Sequence, residues 1–325
     1  MNQSEQIKAI PAGRLHYFPV MMFAIVMGVT GLAIVFYKME EVLSFSTIVT
    51  DIFGYISLAL FVIILLSYIM KIFAYKEEVK KEFTHPIRVN FFAAISISML
   101  LLAIFFRHSI PQLANVFFTV GAILHLFFTF YTIRFWINNN LEMRHSNPAW
   151  FIPIVGNILV PIAGKNYAPD TILYFYFSIG IFFWIILFSI ILNRIIFHKQ
   201  FAPKFMPTLF ILIAPPAIGF IAYISLTSKL DFFAHILYSL ALFFTILVFV
   251  MYKNFIKIKF FISWWAFTFP MAAVTIATIL MYQLTHEDLY AILSYIFMVI
   301  TIIIVSIVAK ETVVHMLKKE ICIME

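Results

Sequence analysis

Ten runs of apolar residues, broken by short polar stretches, pattern this chain from end to end. At about 1.5 Å of rise per residue, such runs suit helices crossing a hydrocarbon core of about 30 Å. They predict membrane spans at residues 17–37, 51–73, 91–106, 111–137, 148–164, 171–197, 207–226, 231–252, 260–283 and 289–309. The runs at 91–106 and 148–164 are the shortest. Each run is apolar on every face, so none announces an interface. The most charged break, residues 76–88, sets Lys76, Lys80, Lys81 and Arg88 against Glu77, Glu78 and Glu82. It predicts a solvated helical loop on the membrane surface.

A second pattern lies inside the runs. The first carries Gly28 and Gly31, the fifth Pro153, Gly156 and Pro161, the seventh Pro215, Pro216 and Gly219, and the ninth Pro270. The third has small residues instead: Ala93, Ala94, Ser96 and Ser98. The even runs are nearly free of proline and uniform in Phe, Leu and Ile. This alternation predicts an all-α integral membrane fold of five helical hairpins, with interrupted odd helices around a central pore and smooth even helices outside. Plain helix packing is the competing reading, because Gly and Pro are commoner in membrane helices than in soluble ones.

The ninth run, FFISWWAFTFPMAAVTIATILMYQ, focuses the pattern. Pro270 has no N–H for the carbonyl of Ala266, and its ring crowds that carbonyl, so a kink is expected there. In lipid such breaks persist where protein covers them or where they line a wet cavity. The expectation is that this span borders a path through the membrane, with Phe269 in or beside it.

Composition agrees with the pattern. The 325 residues are 64% hydrophobic and 11% charged, with a mean hydropathy of +1.03. Soluble domains carry about 45–50% apolar and about 25% charged residues. One membrane domain over 17–313 is expected, flanked by short cytoplasmic tails at 1–16 and 314–325. The net charge of +7 fits the positive-inside bias better than nucleic acid. With the N-terminus cytoplasmic, 18 of the 22 Lys and Arg fall on the inner side. Lys38, Arg107, Lys165 and Lys229 fall on the outer side. The first run is too long for a signal-peptide core and reads as a retained helix. The single cysteine, Cys322, excludes an internal disulfide.

Candidate chemistry is defined by what the spans omit. No Asp, Glu, Lys or Arg lies near the middle of any run, where ion-coupled carriers keep an ionisable group. His125 is mid-span and is the candidate for pH tuning, although a neutral imidazole bonded between helices is the favoured reading. No metal or cofactor motif and no nucleophile–base constellation is present, so an enzyme is not expected. Broken helices expose partly positive N–H ends, and the hydroxyls of Thr30, Thr268 and Thr275 add donors. A path with no fixed charge binds anions weakly, as conduction requires.

Four stretches in order, FAIVMGVTGLAIVF, PAWFIPIVGNILVPIAG, APPAIGFIAY and WWAFTFPMAA, resemble the TehA/SLAC1 family. These are tellurite-resistance and dicarboxylate transporters of bacteria and relatives of the plant slow anion channel. The resemblance covers nearly the whole chain. It implies ten helices in five hairpins, a bacterial inner membrane, and homotrimers with one pore per protomer. It also implies a pore occluded by a ninth-helix phenylalanine, matched here to Phe269. Phe267, two positions away on another face, is the weaker match. The partners implied are small inorganic or organic anions and membrane lipid. The alternative function is a carrier for C4-dicarboxylates, sulfite or tellurite-type oxyanions. The third span, lacking Gly and Pro, departs from the pattern and leaves its share in the pore open.

Overall fold

Long runs of Phe, Leu and Ile without proline satisfy each backbone group within one helix, the condition for lipid contact. The even-numbered spans meet it without a break. The computed structural model describes residues 13–43 and 47–323, so Lys8 and most of the N-terminal tail lie outside the described residues. The spans are α1 (Val20–Leu43), α2 (Ile48–Ala74), α3 (Arg88–Phe106), α4 (Pro111–Asn138) and α5 (Pro148–Gly164). They continue as α6 (Asp170–Phe197), α7 (Pro203–Thr227), α8 (Phe232–Val250), α9 (Ile262–Thr285) and α10 (Asp288–Leu317). Among the described residues nine helices are long and apolar enough to span a membrane, and α5 is a shorter apolar helix.

The odd spans differ from the even ones in a regular way. Each odd span begins as a 3₁₀ helix and widens into α further on. The 3₁₀ segments are Val20–Met22, Arg88–Phe92, Pro148–Phe151, Pro203–Leu212 and Ile262–Phe267, and α5 has a second one at Gly156–Ile158. The third span therefore joins the odd set although its sequence carries neither Gly nor Pro. Nor does the ninth break at its proline. The change of helix type falls between Phe267 and Thr268, and Pro270 sits in the first α-turn. The carbonyl that its missing N–H cannot serve, that of Ala266, lies in the last turn of the 3₁₀ segment, where the helix type changes.

Side chains take up carbonyls around these transitions. Thr268 Oγ1 donates to the Trp265 carbonyl at 2.7 Å, Thr208 to Phe205 at 2.6 Å and Ser96 to Ala93 at 2.8 Å. In α5, Asn157 Nδ2 donates to Ile154 O at 2.8 Å, and Thr129 of α4 reaches Pro153 O at 2.8 Å. The break around Pro153 and Gly156 is thus covered by protein, as a membrane interior demands.

Burial sorts the two sets. The apolar stretches of α1, α3, α7 and α9 are 78–100% buried, whereas those of the even spans are 28–44% buried. Consecutive spans pack as pairs, α1 on α2 through α9 on α10. Among the odd spans, α1 touches α3, α3 touches α5, α5 touches α7, α7 touches α9, and α9 returns to α1. The contacts close a ring of five.

Glycines permit the closest approach in that ring. A Cβ on Gly28 would strike the Thr268 side chain and lie 2.8 Å from the Trp265 ring. On Gly31 it would meet Ala272 Cβ at 3.0 Å and Phe269 Cδ2 at 3.3 Å. Both glycines therefore seat α1 on α9. Gly219 is different, since its Cβ would find Leu237 at an ordinary 3.4 Å. Gly28→Ala is expected to destabilise the detergent-solubilised protein by ~1–3 kcal/mol, as overpacking does. Gly219→Ala should be neutral or slightly stabilising, because alanine is the better helix former. Thermal unfolding of the two variants side by side checks the contrast.

The charged loop departs from expectation at one residue. Lys76–Phe83 is a short helix, but Glu82 is buried rather than solvated. Its carboxylate lies 3.1 Å from Lys71 Nζ and accepts from Tyr68 OH at 2.8 Å. Lys71 also donates to the Phe18 carbonyl at 2.8 Å, tying α2 to the chain entering α1. At the other end of the chain, α10 runs on to Leu317, past the expected boundary at residue 313.

Candidate functional site

Two cavities lie along the inside of the ring, and each is walled by residues from all five odd spans. The lower one, where the odd spans begin, has a volume of about 70 Å³. Its wall includes Met27, Phe91, Val155, Ile211 and Trp265. The upper one, where the odd spans end, has a volume of about 180 Å³ and includes Ile34, Leu101, Ile162, Ile221 and Ile276. Leu159, Ile218 and Phe269 belong to both walls and so stand between the two spaces. No odd span is missing from either wall, which gives α3 its place in the lining through Phe91, Ala94, Ile97, Leu101 and Ile104.

Helix position explains how Phe269 reaches this point. It is the second residue of the α segment of α9, just past the 3₁₀ turn, and only 8% exposed. Gly31 lets the ring of Phe269 lie close against α1. Phe267 points elsewhere, with its ring centroid 4.7 Å from Phe210 and 5.7 Å from Phe255.

Other residues singled out from the sequence divide cleanly. Gly156, Pro215 and Pro270 line the lower cavity beside Phe269. Gly28, Gly31, Pro153, Pro161, Gly219 and Thr268 are in neither wall. The hydroxyls of Thr268 and Thr275 are committed to helix carbonyls, and Thr30 Oγ1 is buried outside both walls. None of the three belongs to either wall.

His125 is buried and stands one glycine away from the lower cavity, because a Cβ on Gly156 would strike its ring. Its Nδ1 lies 2.9 Å from Ser96 Oγ. That hydroxyl already donates its one hydrogen to Ala93 O, so it accepts from Nδ1–H. Nε2 is then an acceptor, and it has no partner among the described residues.

The cavity walls differ in polarity. Thr208 and Ser263 are the hydroxyls of the lower wall, and both donate to backbone carbonyls. The upper wall holds Ser225 and two cations, Lys38 and Arg107. In the sequence these two stand out only as outer-side charges. One signal was available: Lys38 follows Ile34 by four residues and shares its helix face. Lys38 pairs with Glu41, and Arg107 Nε donates to His108 Nε2 at 2.9 Å. Burial, and then the neighbouring Arg107, hold His108 below the usual imidazole range. No group of three or more metal-ligating side chains occurs among the described residues.

The amino-acid sequence that folds into this ring matches a known family model. The model of the SLAC1 family, described as voltage-dependent anion channel, matches residues 17–313. The chain belongs to the SLAC1 family. A relative within it is the S-type anion channel SLAH2 of Arabidopsis thaliana, 30% identical over 81% of this chain and 52% of the plant protein. The chain thus spans about half the length of that channel. The tellurite resistance protein TehA homolog of Haemophilus influenzae is 27% identical over 79% of each chain. An uncharacterized transporter of Methanocaldococcus jannaschii is 27% identical over 81% of this chain and 84% of its own. Membership in the SLAC1 family makes this a multi-pass membrane protein of an anion channel and transporter lineage.

Proposed function

We propose that the protein conducts small anions across the membrane through the path formed by its two cavities, with Phe269 as the gate. The observation that carries this reading is the position of Phe269, with Leu159 and Ile218, in the walls of both cavities. An apolar constriction of this kind closes a pore by excluding water. The near-absence of ionisable groups along the lower path supports weak, channel-like binding over tight capture. The lower cavity faces the cytoplasm in this reading, in keeping with the bias of Lys and Arg. The setting is a bacterial inner membrane and the assembly a homotrimer of five-hairpin protomers, each with its own pore.

The test is electrical. Reversal potentials of Phe269→Ala, recorded across chloride, nitrate, sulfite and malate gradients, should report an anion-selective conductance. Absence of current, together with saturable uptake of a labelled dicarboxylate, would replace the channel with a carrier.

His125 is proposed to tune the pH response, because it stands behind Gly156 in the lower wall. His125→Gln is expected to shift the pH profile of the current while the selectivity stays unchanged. An unaltered profile removes that role and leaves His125 as a packing residue.

A further inference from the structure

Among the described residues, the charged side chains in the cavity walls are Lys38 and Arg107, and both stand in the upper one. They come from different elements: Lys38 from the last turns of α1 and Arg107 from the residue after α3. Neither is placed there by chance of a floppy loop. Arg107 follows directly on Phe106, and Lys38 is held in helix with its side chain 18% exposed. Around them, Tyr37 stacks on His108 with ring centroids 5.9 Å apart. The Arg107–His108 bond fixes the guanidinium through Nε. Among the described residues this is the hydrogen bond Arg107 makes, so the Nη groups have no acceptor there. A guanidinium with free N–H groups in an otherwise apolar wall suits an anion with two oxygens.

From this geometry we infer that Lys38 and Arg107 form an anion-binding site in the upper cavity, where a small planar oxyanion such as nitrate or a carboxylate is captured before it reaches Phe269. The inference deepens the conduction reading and rests on it for the direction of travel. Glu41 is the competitor. It pairs with Lys38, lies outside the cavity wall, and is displaced when an anion takes the ammonium group. Mutation should therefore act with opposite signs. Losing a cation weakens the site, whereas losing Glu41 frees Lys38 and strengthens it. A purely structural role for this cluster would give loss in all three cases.

Two measurements test the site. In the conducting Phe269→Ala form, Lys38→Gln and Arg107→Gln are expected to raise the half-saturating nitrate concentration on the upper side by roughly threefold or more at low salt. Glu41→Gln should lower it. The differences should shrink near 1 M salt, where the screening length falls from about 30 Å to about 3 Å. Independently of conduction, nitrate should raise the unfolding temperature of the detergent-solubilised wild type at constant ionic strength, held with a bulky sulfonate. Arg107→Gln should abolish that shift. If wild type gains no stability from nitrate, or if all three variants keep the same half-saturation in a conducting form, the site does not exist. If nitrate stabilises the wild type and Arg107→Gln does not respond, but Phe269→Ala carries no current, the site stands and the channel reading falls.

Discussion

Phe269→Ala is expected to raise anion current by roughly tenfold or more over wild type, the largest functional change any single substitution here should produce. The side chain lies between two cavities, and its ring is the bulkiest of the three groups there. Leu159→Ala and Ile218→Ala remove less volume from the same position and should raise the current in the same direction by smaller factors. Phe267→Ala is the control. Its ring packs on Phe210 and Phe255, outside both cavities, so its loss should lower stability without opening the path. Equal currents from Phe269→Ala and Phe267→Ala would remove the gate from Phe269.

Breaking the buried ion pair at the base of α2 should be the most destabilising polar substitution. Lys71 and Glu82 keep 2% and 5% of their side chains exposed and lie 3.1 Å apart. Glu82→Gln leaves the ammonium group without its counter-charge, at a cost of ~3–5 kcal/mol. The Phe18 carbonyl remains on the ammonium group and Tyr68 OH on the side chain at position 82, but neither carries a compensating charge. Removing both charges is another matter. Lys71→Met combined with Glu82→Gln should recover most of the loss, since an apolar stem replaces a desolvated ion. Unfolding midpoints in detergent read both effects. A Glu82→Gln variant within ~1 kcal/mol of wild type would show that water reaches the pair.

The spans were legible because a bilayer demands long apolar runs, and little else in the sequence produces them. Their ends were less so. The α-helix of α1 continues through Lys38, Glu40 and Glu41 to Leu43, although the apolar run stops at Tyr37, and Lys38 and Glu41 pair across that last turn. Gly28 and Gly31 were read as pore features, yet they serve the seam between α1 and α9. Nothing in a glycine says which of its neighbours needs the space. The 3₁₀ segment of α3 was invisible for a plainer reason: Arg88–Phe92 contains no Gly or Pro to mark it. Lys38 and Arg107 were hidden by their place near loops, where a charge is expected to face water. Phe269 is singled out in the sequence by three facts together: an aromatic, a neighbouring proline, and a span with no charge to serve as a barrier.

The 3₁₀ segments also settle how the two short spans cross. A 3₁₀ helix rises about 2.0 Å per residue, against about 1.5 Å for α. As pure α-helices, α3 and α5 would reach only about 28 Å and about 25 Å. With the 3₁₀ stretches included, they extend to about 31 Å and about 29 Å, the thickness of the hydrocarbon core. Stretching the odd helices lets 19- and 17-residue segments stand level with 28-residue neighbours that must tilt or protrude.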